Sequence, residues 1–480
     1  MYLKKLVLVA AAVASACGLT ACSDGERNSL VIEGDTINES PNPDPGTGGG
    51  VSTCPNFASS RPQQADGTNV CQLPSSISSN VTLSADTVWY LADRVTVGNG
   101  NAAMSTTAGT LANGLAVQDV TLTIEAGTQI KARVGTFANL IITRGSRIVA
   151  QGTASAPIVF SSEDEGYDGN GEWGGLILQG YAQHNTCGTD ATVACNVDSE
   201  GESGFAGGYD NADSSGVLRY VIVAEGGYEF APGNEINGIS FIGVGSGTEV
   251  DYIQVHNNKD DAVEMYGGTV NMKHLVLTNN LDDTIDWDEG YQGNIQYALV
   301  TQSAAADGNA IEADTDGNTA SPMLSKPTLS NFTFIVDTID ANATALNLKA
   351  RTGGFLHNGI ITLASNSRVA TCVRVSGATT QDNRNVSLFL DNVIVNCGAF
   401  GDDTLDQTTV FAVDPALAAN YTTAAAQATL SAPYDWAAFK AAHAESVADE
   451  TFLDATDYLG AVDPDGSDLW YQGWTLEGTL

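Results

Sequence analysis

Short apolar runs, each three to six residues long, recur along the chain from about Val81, with Gly, Asn and Asp between them. Runs of this length that are rich in β-branched residues and bounded by turn residues are typical of β-strands. The pattern predicts strands at residues 120–124, 140–142, 158–160, 176–178, 221–223, 253–255, 275–277, 298–300, 332–334 and 360–362. We therefore expect a chain dominated by β-structure.

An internal repeat indicates which β-fold to expect. Residues 255–265 and 277–287 align with a shift of 22, and each contains a strand, an Asn-rich turn, an Asp pair and a second strand. A looser copy follows at 300–313. One such unit roughly every 22–26 residues is typical of a coil in a parallel β-helix. We predict an all-β, right-handed parallel β-helix. A series of β-sandwiches is the alternative, and it predicts hairpins without a coil repeat.

The N-terminus has the features of a bacterial lipoprotein signal. Lys4-Lys5 precedes an apolar run at 6–16, which is shorter than the roughly 20 residues of a membrane-spanning helix. The tetrad Leu19-Thr20-Ala21-Cys22 follows, and in such a tetrad the Cys becomes the lipid-carrying N-terminus. Cys22 is the predicted lipidation site, and the Ser after it is typical of sorting to the outer membrane. A plain secretory signal with a chance Cys is the alternative.

Six cysteines follow the signal segment, and an even number outside the cytoplasm indicates disulfide bonds. Many connectivities are possible, but the cysteines form three couples that are local in sequence. We predict the bonds Cys54–Cys71, Cys187–Cys195 and Cys372–Cys397. A zinc site is disfavoured because the sequence contains no C-x-x-C and few His.

These features divide the chain into five segments. We predict a signal peptide at 1–21, a flexible Pro/Gly-rich linker at 22–53, a disulfide-bearing segment at 54–80, the β-helix at 81–400 and a C-terminal cap at 401–480. Within the cap, residues 434–445 predict one amphipathic helix with Trp436, Phe439 and His443 on one side. The cap is expected to cover the open end of the β-helix.

The charge balance excludes two classes of function. The chain has 19 Lys and Arg against 57 Asp and Glu, a net charge of −38. This balance excludes nucleic-acid binding and polybasic binding to a membrane surface, because both need clustered cations. With 43% hydrophobic residues the chain still has enough apolar material for a core.

Five segments carry a resemblance to a known family, namely 122–128, 140–145, 172–176, the coil around Asp260-Asp261, and 458–463. They resemble uncharacterised bacterial surface lipoproteins built on a right-handed parallel β-helix. The resemblance extends from about residue 80 to the C-terminus. It implies a β-helix at the cell surface and implies no established reaction.

Carboxylates recur at one position of the repeat. Val263 and Met265 share one face of a strand, so Glu264 lies on the other, as do its equivalents Asp286 and Glu312. Coils stack about 4.8 Å apart, so these side chains form a column, and like charges at that spacing repel. Dense oxygen ligands favour Ca²⁺. We predict Ca²⁺ between coils, bound by Asp260, Asp261, Glu264, Asp282, Asp283, Asp286 and Glu312. A solvated acidic face with diffuse counterions is the alternative.

Aromatic residues near the acidic coils suggest a second kind of contact. Tyr209, Tyr228 and Tyr266 are candidate glycan-binding residues, because sugars pack on aromatic faces beside carboxylates. Ordinary coil packing is the alternative. The long insertion at 183–215, closed by the couple Cys187–Cys195, is the candidate region for partner recognition.

Catalysis is the alternative to binding. Polysaccharide lyases of this fold combine Ca²⁺ with a basic side chain, but the candidates Lys259, Lys273, His256 and His274 lie in no recognisable motif. Hydrolases of this fold use paired carboxylates, for which Asp282, Asp283 and Asp286 are candidates, yet the Gly-His-Gly and Arg-Ile-Lys elements of the pectin hydrolases are missing. The sequence favours a lipid-anchored outer-membrane protein that binds a glycan or another surface with Ca²⁺. A polysaccharide-active enzyme stays open.

Overall fold

The computed structural model describes residues 54–188, 190–230, 236–316, 320–369, 371–383, 386–396 and 433–480. The predicted signal peptide, the linker with Cys22, Cys397 and residues 401–432 of the predicted cap lie outside these ranges. Among the residues that the structure describes, no helix is long and apolar enough to cross a membrane.

Short strands make up most of the regular structure, as the apolar runs predict. The strands of the first half are β1 (Ser59–Arg61), β2 (Asn69–Gln72), β3 (Ser76–Ile77), β4 (Val81–Leu83), β5 (Thr87–Leu91), β6 (Val95–Val97), β7 (Thr121–Ile124), β8 (Gln129–Ala132), β9 (Leu140–Ile142), β10 (Arg147–Gln151), β11 (Ile158–Ser162), β12 (Leu176–Gln179), β13 (Val197–Ser199), β14 (Gly204–Ala206) and β15 (Gly216–Ala224).

The second half continues in the same way. Its strands are β16 (Ile239–Ile242), β17 (Glu249–His256), β18 (Val263–Tyr266), β19 (Asn271–Thr278), β20 (Ile285–Asp288), β21 (Asn294–Thr301), β22 (Ile311–Ala313), β23 (Thr328–Val336), β24 (Leu346–Leu348), β25 (Gly354–His357), β26 (Ile360–Leu363), β27 (Val373–Val375), β28 (Leu388–Asp391) and β29 (Ile394–Asn396). The helices are α1 (Ala378–Asn383), α2 (Trp436–Ala442) and two 3₁₀ turns at Asn185–Cys187 and Glu200–Glu202.

The strands form two long sheets whose neighbours are parallel. Within the described ranges, the first sheet has 17 strands and the second has ten, namely β3, β6, β9, β12, β16, β18, β20, β22, β24 and β27. Successive coils stack in register, as in the series β16, β18, β20 and β22. This topology confirms the all-β parallel β-helix. The β-sandwich alternative is wrong, because a sandwich is built of antiparallel hairpins and the described antiparallel strand pairs are β1–β2 and β13–β14.

The register of β18 and β20 confirms the 22-residue repeat. Val263 pairs with Ile285 and Met265 pairs with Trp287, and all four side chains are buried in the core. Trp287 points inward and donates from its indole nitrogen to Thr352 Oγ1 at 3.1 Å. Alternation along each strand therefore directs the residues between these positions to the outer face of the second sheet.

A stack of aromatic rings marks a corner in the first sheet. In β15, β17, β19 and β21 one residue has a positive φ, which bends each long strand, and these residues are Tyr220, Tyr252, His274 and Tyr297. Their rings stack with centroids 4.3, 4.2 and 4.8 Å apart in that order. We call these four residues the aromatic stack. Its repetition on successive coils indicates that the bend belongs to the coil geometry, since left-handed backbone is unfavourable for non-glycine residues.

The solenoid begins earlier than the predicted boundary at residue 81. β2 and β3 lie in the segment 54–80 and already pair in parallel with β5 and β6. The disulfide Cys54–Cys71 ties the chain before β2 to that strand. The bond Cys187–Cys195 is also present, so two of the three predicted disulfides are confirmed. The third includes Cys397, which lies outside the described residues.

Residues 433–480, here called the C-terminal segment, lie along the outer face of the first sheet. Trp470 and Trp474 pack edge-on against the aromatic stack, with ring centroids 4.9 Å from His274 and 5.6 Å from Tyr220 respectively. The buried tryptophans have their apolar partners on the side of the coils. Residues 401–432 of the predicted cap lie outside the described ranges, so a cover over the solenoid's end stays a prediction. Helix α2 is shorter than predicted, and Asp435 Oδ1 accepts the Ala438 N–H at its start.

Candidate metal centre

The acidic side chains of the repeat form a column on the outer face of the second sheet. Glu264 of β18 pairs with Asp286 of β20, and Asp286 pairs with Glu312 of β22. We call these three residues the acidic column. It continues into Ser240 on one side and Asn347 on the other. The three carboxylates therefore lie on successive coils, as the repeat predicts.

The Asp residues of the preceding turns lie close to the column. Carboxylate oxygens approach within 4.8 Å of one another in three groups, namely Asp260/Asp261/Asp282, Asp261/Glu264/Asp286 and Asp283/Asp286/Glu312. Together the groups contain all seven predicted metal ligands. Asp261 and Asp286 each belong to two groups, so an ion in one group would share a carboxylate with an ion in the next. Clustered carboxylate oxygens of this kind suit Ca²⁺.

The carboxylates are buried rather than solvated. Asp261, Glu264, Asp283 and Asp286 are between 5% and 8% exposed. Little water reaches these four side chains, so they differ from an ordinary solvated acidic face, and the bound Ca²⁺ stays a prediction. Burying several carboxylates together is costly unless protons or cations neutralise them.

Burial raises the pKa of each of these carboxyl groups well above its ordinary value. For Asp261 and Asp286 the charge of Glu264 adds to the effect, and for Asp283 the charge of Glu312 does so. For Glu264 burial is again the largest cause, and the charge of Glu200 follows. Without a cation these groups would be driven to hold protons near neutral pH.

Hydrogen bonds satisfy only part of the cluster. Asp283 Oδ1 accepts the side-chain N–H of Asn309 at 2.8 Å and also its backbone N–H. Asp286 Oδ1, in contrast, is buried and has no hydrogen-bond partner within the described ranges. Buried polar atoms are rarely left without a partner, and a bound ion is one of the few reasons for such an atom. The two groups that share Asp286 are therefore the strongest candidates for a metal.

A glutamate from the insertion joins the column. Asn237 Nδ2 donates to Glu264 Oε2 at 2.6 Å and lies 3.1 Å from Glu200 Oε2. The Tyr266 hydroxyl also donates to Glu264. Glu200 was missed by sequence reasoning, because it lies outside the repeat and only the packing of the insertion on the second sheet brings it here.

One cation of the chain lies at the far end of the column. Lys349 Nζ is 2.8 Å from Glu312 Oε2 and 3.6 Å from Asp314 Oδ2. Burial opposes the charged form of Lys349, but the hydrogen bond and charge of Glu312 outweigh it and raise the pKa of the ammonium. Beside it, burial and the neighbouring Asp314 raise the pKa of Asp288 to about 10.

The three predicted glycan-binding tyrosines have different surroundings. Tyr266 belongs to the acidic site and is half-buried. The Tyr209 hydroxyl donates to the Cys187 carbonyl at 3.0 Å, while Tyr228 pairs through its backbone with Trp173. Of the three, Tyr266 is the one that the described contacts bring to the carboxylates.

The candidate catalytic bases are engaged in other contacts. Lys259 pairs with Glu229 at 2.7 Å, and Lys273 pairs with Asp454 at 2.7 Å. His274 belongs to the aromatic stack, and its Nδ1 lies 2.7 Å from Asp251. His256 is buried, which lowers its pKa to about 4, and its Nδ1 is 2.7 Å from Thr278 Oγ1.

Fold and site together define the class of protein, a parallel β-helix with buried carboxylates aligned across its coils. A family model described as a pectate-lyase-like β-helix domain matches residues 75–475, more than four-fifths of the chain, and the chain belongs to that family. Comparisons with curated proteins and with solved structures find no match. The family match confirms the β-helix part of the resemblance to surface lipoproteins. The lipoprotein part stays a prediction.

Proposed function

We propose that this chain is a Ca²⁺-dependent binding module, held at the outer membrane by a lipid on Cys22, that attaches to a polysaccharide or another surface. The observation that supports the proposal best is the set of buried carboxylates from adjacent coils, which converge within 4.8 Å. One of their oxygens has no hydrogen-bond partner in the part of the chain that the structure describes. Ca²⁺ between the coils would neutralise these groups and hold the coils in register.

Burial of the site favours binding over catalysis. A general acid or base must come within hydrogen-bond distance of its substrate, and carboxylates that are 5–8% exposed are poorly placed for that. The candidate bases are also paired with acidic or hydroxyl partners. The family supports a polysaccharide as ligand. In a chain of net charge −38, an acidic polysaccharide would need a cation between the two surfaces.

Calorimetric titration with Ca²⁺ tests the metal site. We expect binding in the wild type, and Asp286→Asn should weaken it about tenfold or more, because this residue belongs to two groups. Asp307→Asn is the matched control, since Asp307 is an exposed carboxylate in the turn before β22 and belongs to none of the groups. Absence of heat, together with a melting temperature that EDTA does not change, would refute the metal site.

The family match favours one other function, a polysaccharide-active enzyme. An enzyme should release reducing ends or unsaturated products from an acidic glycan, and Asp283→Asn should abolish that release. A binding module should retain the polysaccharide without product and lose it on addition of EDTA. Incubation with polygalacturonate, with product assay and pull-down run in parallel, separates the two. For the anchor, Cys22→Ala should move the protein from the membrane to the soluble fraction.

A further inference from the structure

We infer that Glu200 of the insertion is a ligand of the same cation site, so that cation binding fixes the β13–β14 hairpin against the second sheet. This inference rests on the proposed metal site and adds a regulation to it. The insertion, residues 183–215, is the part of the chain that sequence analysis singled out for partner recognition. A cation that orders its hairpin would therefore control the recognition surface.

Two carboxylates from distant parts of the chain converge on the same neutral donors. Glu200 lies in the turn between β13 and β14, and Glu264 lies in the acidic column. The side-chain nitrogen of Asn237 is within 3.1 Å of an oxygen of each. The Tyr266 hydroxyl donates to Glu264, and Glu200 also contacts that tyrosine. Neutral donors orient the two carboxylates but do not cancel their charge.

The amide that joins the two carboxylates has an unused oxygen. Asn237 is 1% exposed, and its Oδ1 is buried without a hydrogen-bond partner within the described ranges. Amide oxygens are common Ca²⁺ ligands. Within the described ranges, Asn237 Oδ1 and Asp286 Oδ1 are thus two partnerless oxygens on residues that neighbour Glu264, since Asn237 donates to Glu264 and Asp286 shares a group with it and Asp261. Asn237 would present its oxygen to Glu200 and Glu264 by turning its amide over, which exchanges the oxygen with the nitrogen that faces them now. This donor set, carboxylates with an amide oxygen, is the chemistry that Ca²⁺ takes in proteins.

Other contacts hold the hairpin without adding negative charge. Arg94 Nη1 donates to the Glu202 carbonyl at 2.7 Å, and Asn101 Nδ2 donates to the Ser203 carbonyl at 3.0 Å. Gln179 Nε2 donates to Ser199 Oγ at 3.2 Å. These bonds keep the hairpin near the sheet. Whether Glu200 and Glu264 attract or repel each other then determines how tightly the turn between β13 and β14 is held. Without a cation the two groups repel each other when both are ionised, and Glu264 avoids this repulsion only by holding a proton. With a cation between them they are joined.

Hydrogen exchange of the purified protein tests the inference, with Glu200→Gln as the variant and Glu202→Gln as the control. Glu202 is exposed in the same turn, so the control removes the same charge. In the wild type and the control, Ca²⁺ should slow exchange in residues 197–206 relative to EDTA. In Glu200→Gln this Ca²⁺-dependent slowing should disappear, and Ca²⁺ affinity should fall about tenfold, since one ligand is lost. Binding through the group Asp283/Asp286/Glu312 should persist.

The outcomes distinguish this inference from the proposed function. If the wild type binds no Ca²⁺, the metal site and the inference both fail. If the wild type binds Ca²⁺ and Glu200→Gln matches it in affinity and in exchange, only the inference fails. A melting temperature of Glu200→Gln, in EDTA at a pH high enough to ionise both groups, that equals or exceeds that of the wild type supports the inference, because repulsion has been removed. A lower melting temperature in EDTA with unchanged affinity would show a purely structural role and overturn it.

Discussion

The ammonium of Lys349 lies 2.8 Å from a carboxylate oxygen of Glu312, at one end of the acidic column. The same nitrogen is 3.6 Å from Asp314. On this coil the chain therefore supplies its own cation. Asp286 and Glu264, one and two coils earlier respectively, lie beside further carboxylates. In the acidic column, Lys349 would thus neutralise Glu312, and a bound cation would neutralise Asp286 and Glu264.

Replacing Lys349 by Met should open a further cation site. Loss of the ammonium leaves Glu312 and Asp314 facing each other, so in EDTA the free energy of unfolding should fall by about 1–3 kcal/mol. Ca²⁺ should restore most of this loss, and the number of ions bound should rise. Denaturation in EDTA and in Ca²⁺, with calorimetry for the stoichiometry, measures both effects. Lys440→Met is the control, since Lys440 pairs with Glu450 at the surface and should cost less than about 1 kcal/mol. Equal losses in the two variants would contradict the prediction.

In EDTA the protein should lose stability as the pH rises from about 5 to 8. Burial and neighbouring charges raise the pKa of Asp261, Glu264, Asp283 and Asp286 above the ordinary values of 3.8 for Asp and 4.5 for Glu. Over this range the folded protein holds protons that the unfolded chain has released, so the free energy of unfolding decreases with pH. Ca²⁺ should flatten the decrease.

Melting temperatures measured across this pH range, in EDTA and in Ca²⁺, test the prediction. Glu264→Gln should show a shallower decrease in EDTA than the wild type, because one raised carboxyl group is gone. Asp307→Asn should keep the wild-type slope, as its carboxylate is exposed. A wild-type stability that rises with pH in EDTA would show that these carboxyl groups do not retain protons in the fold.

The coil repeat explains why the acidic column could be predicted from sequence. A shift of 22 residues and strand alternation determine both the register and the face of Glu264 and Asp286, and neither depends on the rest of the fold. Burial of these side chains could not be predicted in the same way. It depends on residues far away in sequence, as Glu200 and Asn237 show.

The stacking of Tyr252 on His274 could also have been predicted from the sequence. Tyr252 and His274 occupy equivalent positions of the same 22-residue repeat, since Asp251 pairs with Lys273 and Ile253 with Leu275. Extending the aligned repeat three residues toward the N-terminus, within the same strands, would have placed them together. Their covering by Trp470 and Trp474 carried no such signal, because the C-terminal segment docks by tertiary packing alone.

Trp470→Ala should loosen the C-terminal segment from the first sheet. Its ring packs against His274, and its indole nitrogen donates to the Ala461 carbonyl at 2.8 Å. Removing a buried Trp costs about 3–5 kcal/mol. We expect faster proteolysis within 433–480 and a lower melting temperature, measured by limited digestion and thermal denaturation. Leu469→Ala is the control, as Leu469 is 37% exposed. If both variants are digested at the wild-type rate, the tryptophan does not hold the segment.

Arg144→Met should weaken the attachment of the insertion. The guanidinium of Arg144 is fully buried and donates to main-chain carbonyls from two regions, and burial lowers its pKa to about 10. Its carbonyl partners, 2.8–3.3 Å away, are Gly100, Ala102, Cys195, Ala206 and Gly207. Replacement by Met leaves these carbonyls without a donor, and about 3–5 kcal/mol of unfolding free energy should be lost.

Chemical denaturation measures that loss, and Arg147→Met is the matched control. Arg147 pairs with Asp119 at 2.8 Å at the surface, so its replacement should cost less than about 1 kcal/mol. Hydrogen exchange should show that the Arg144 variant loosens mainly within 183–215, because the carbonyls of Cys195, Ala206 and Gly207 belong to the insertion. The disulfide Cys187–Cys195 remains in this variant, so any loosening reports the lost guanidinium contacts. A variant as stable as the control would mean that water replaces the guanidinium without cost.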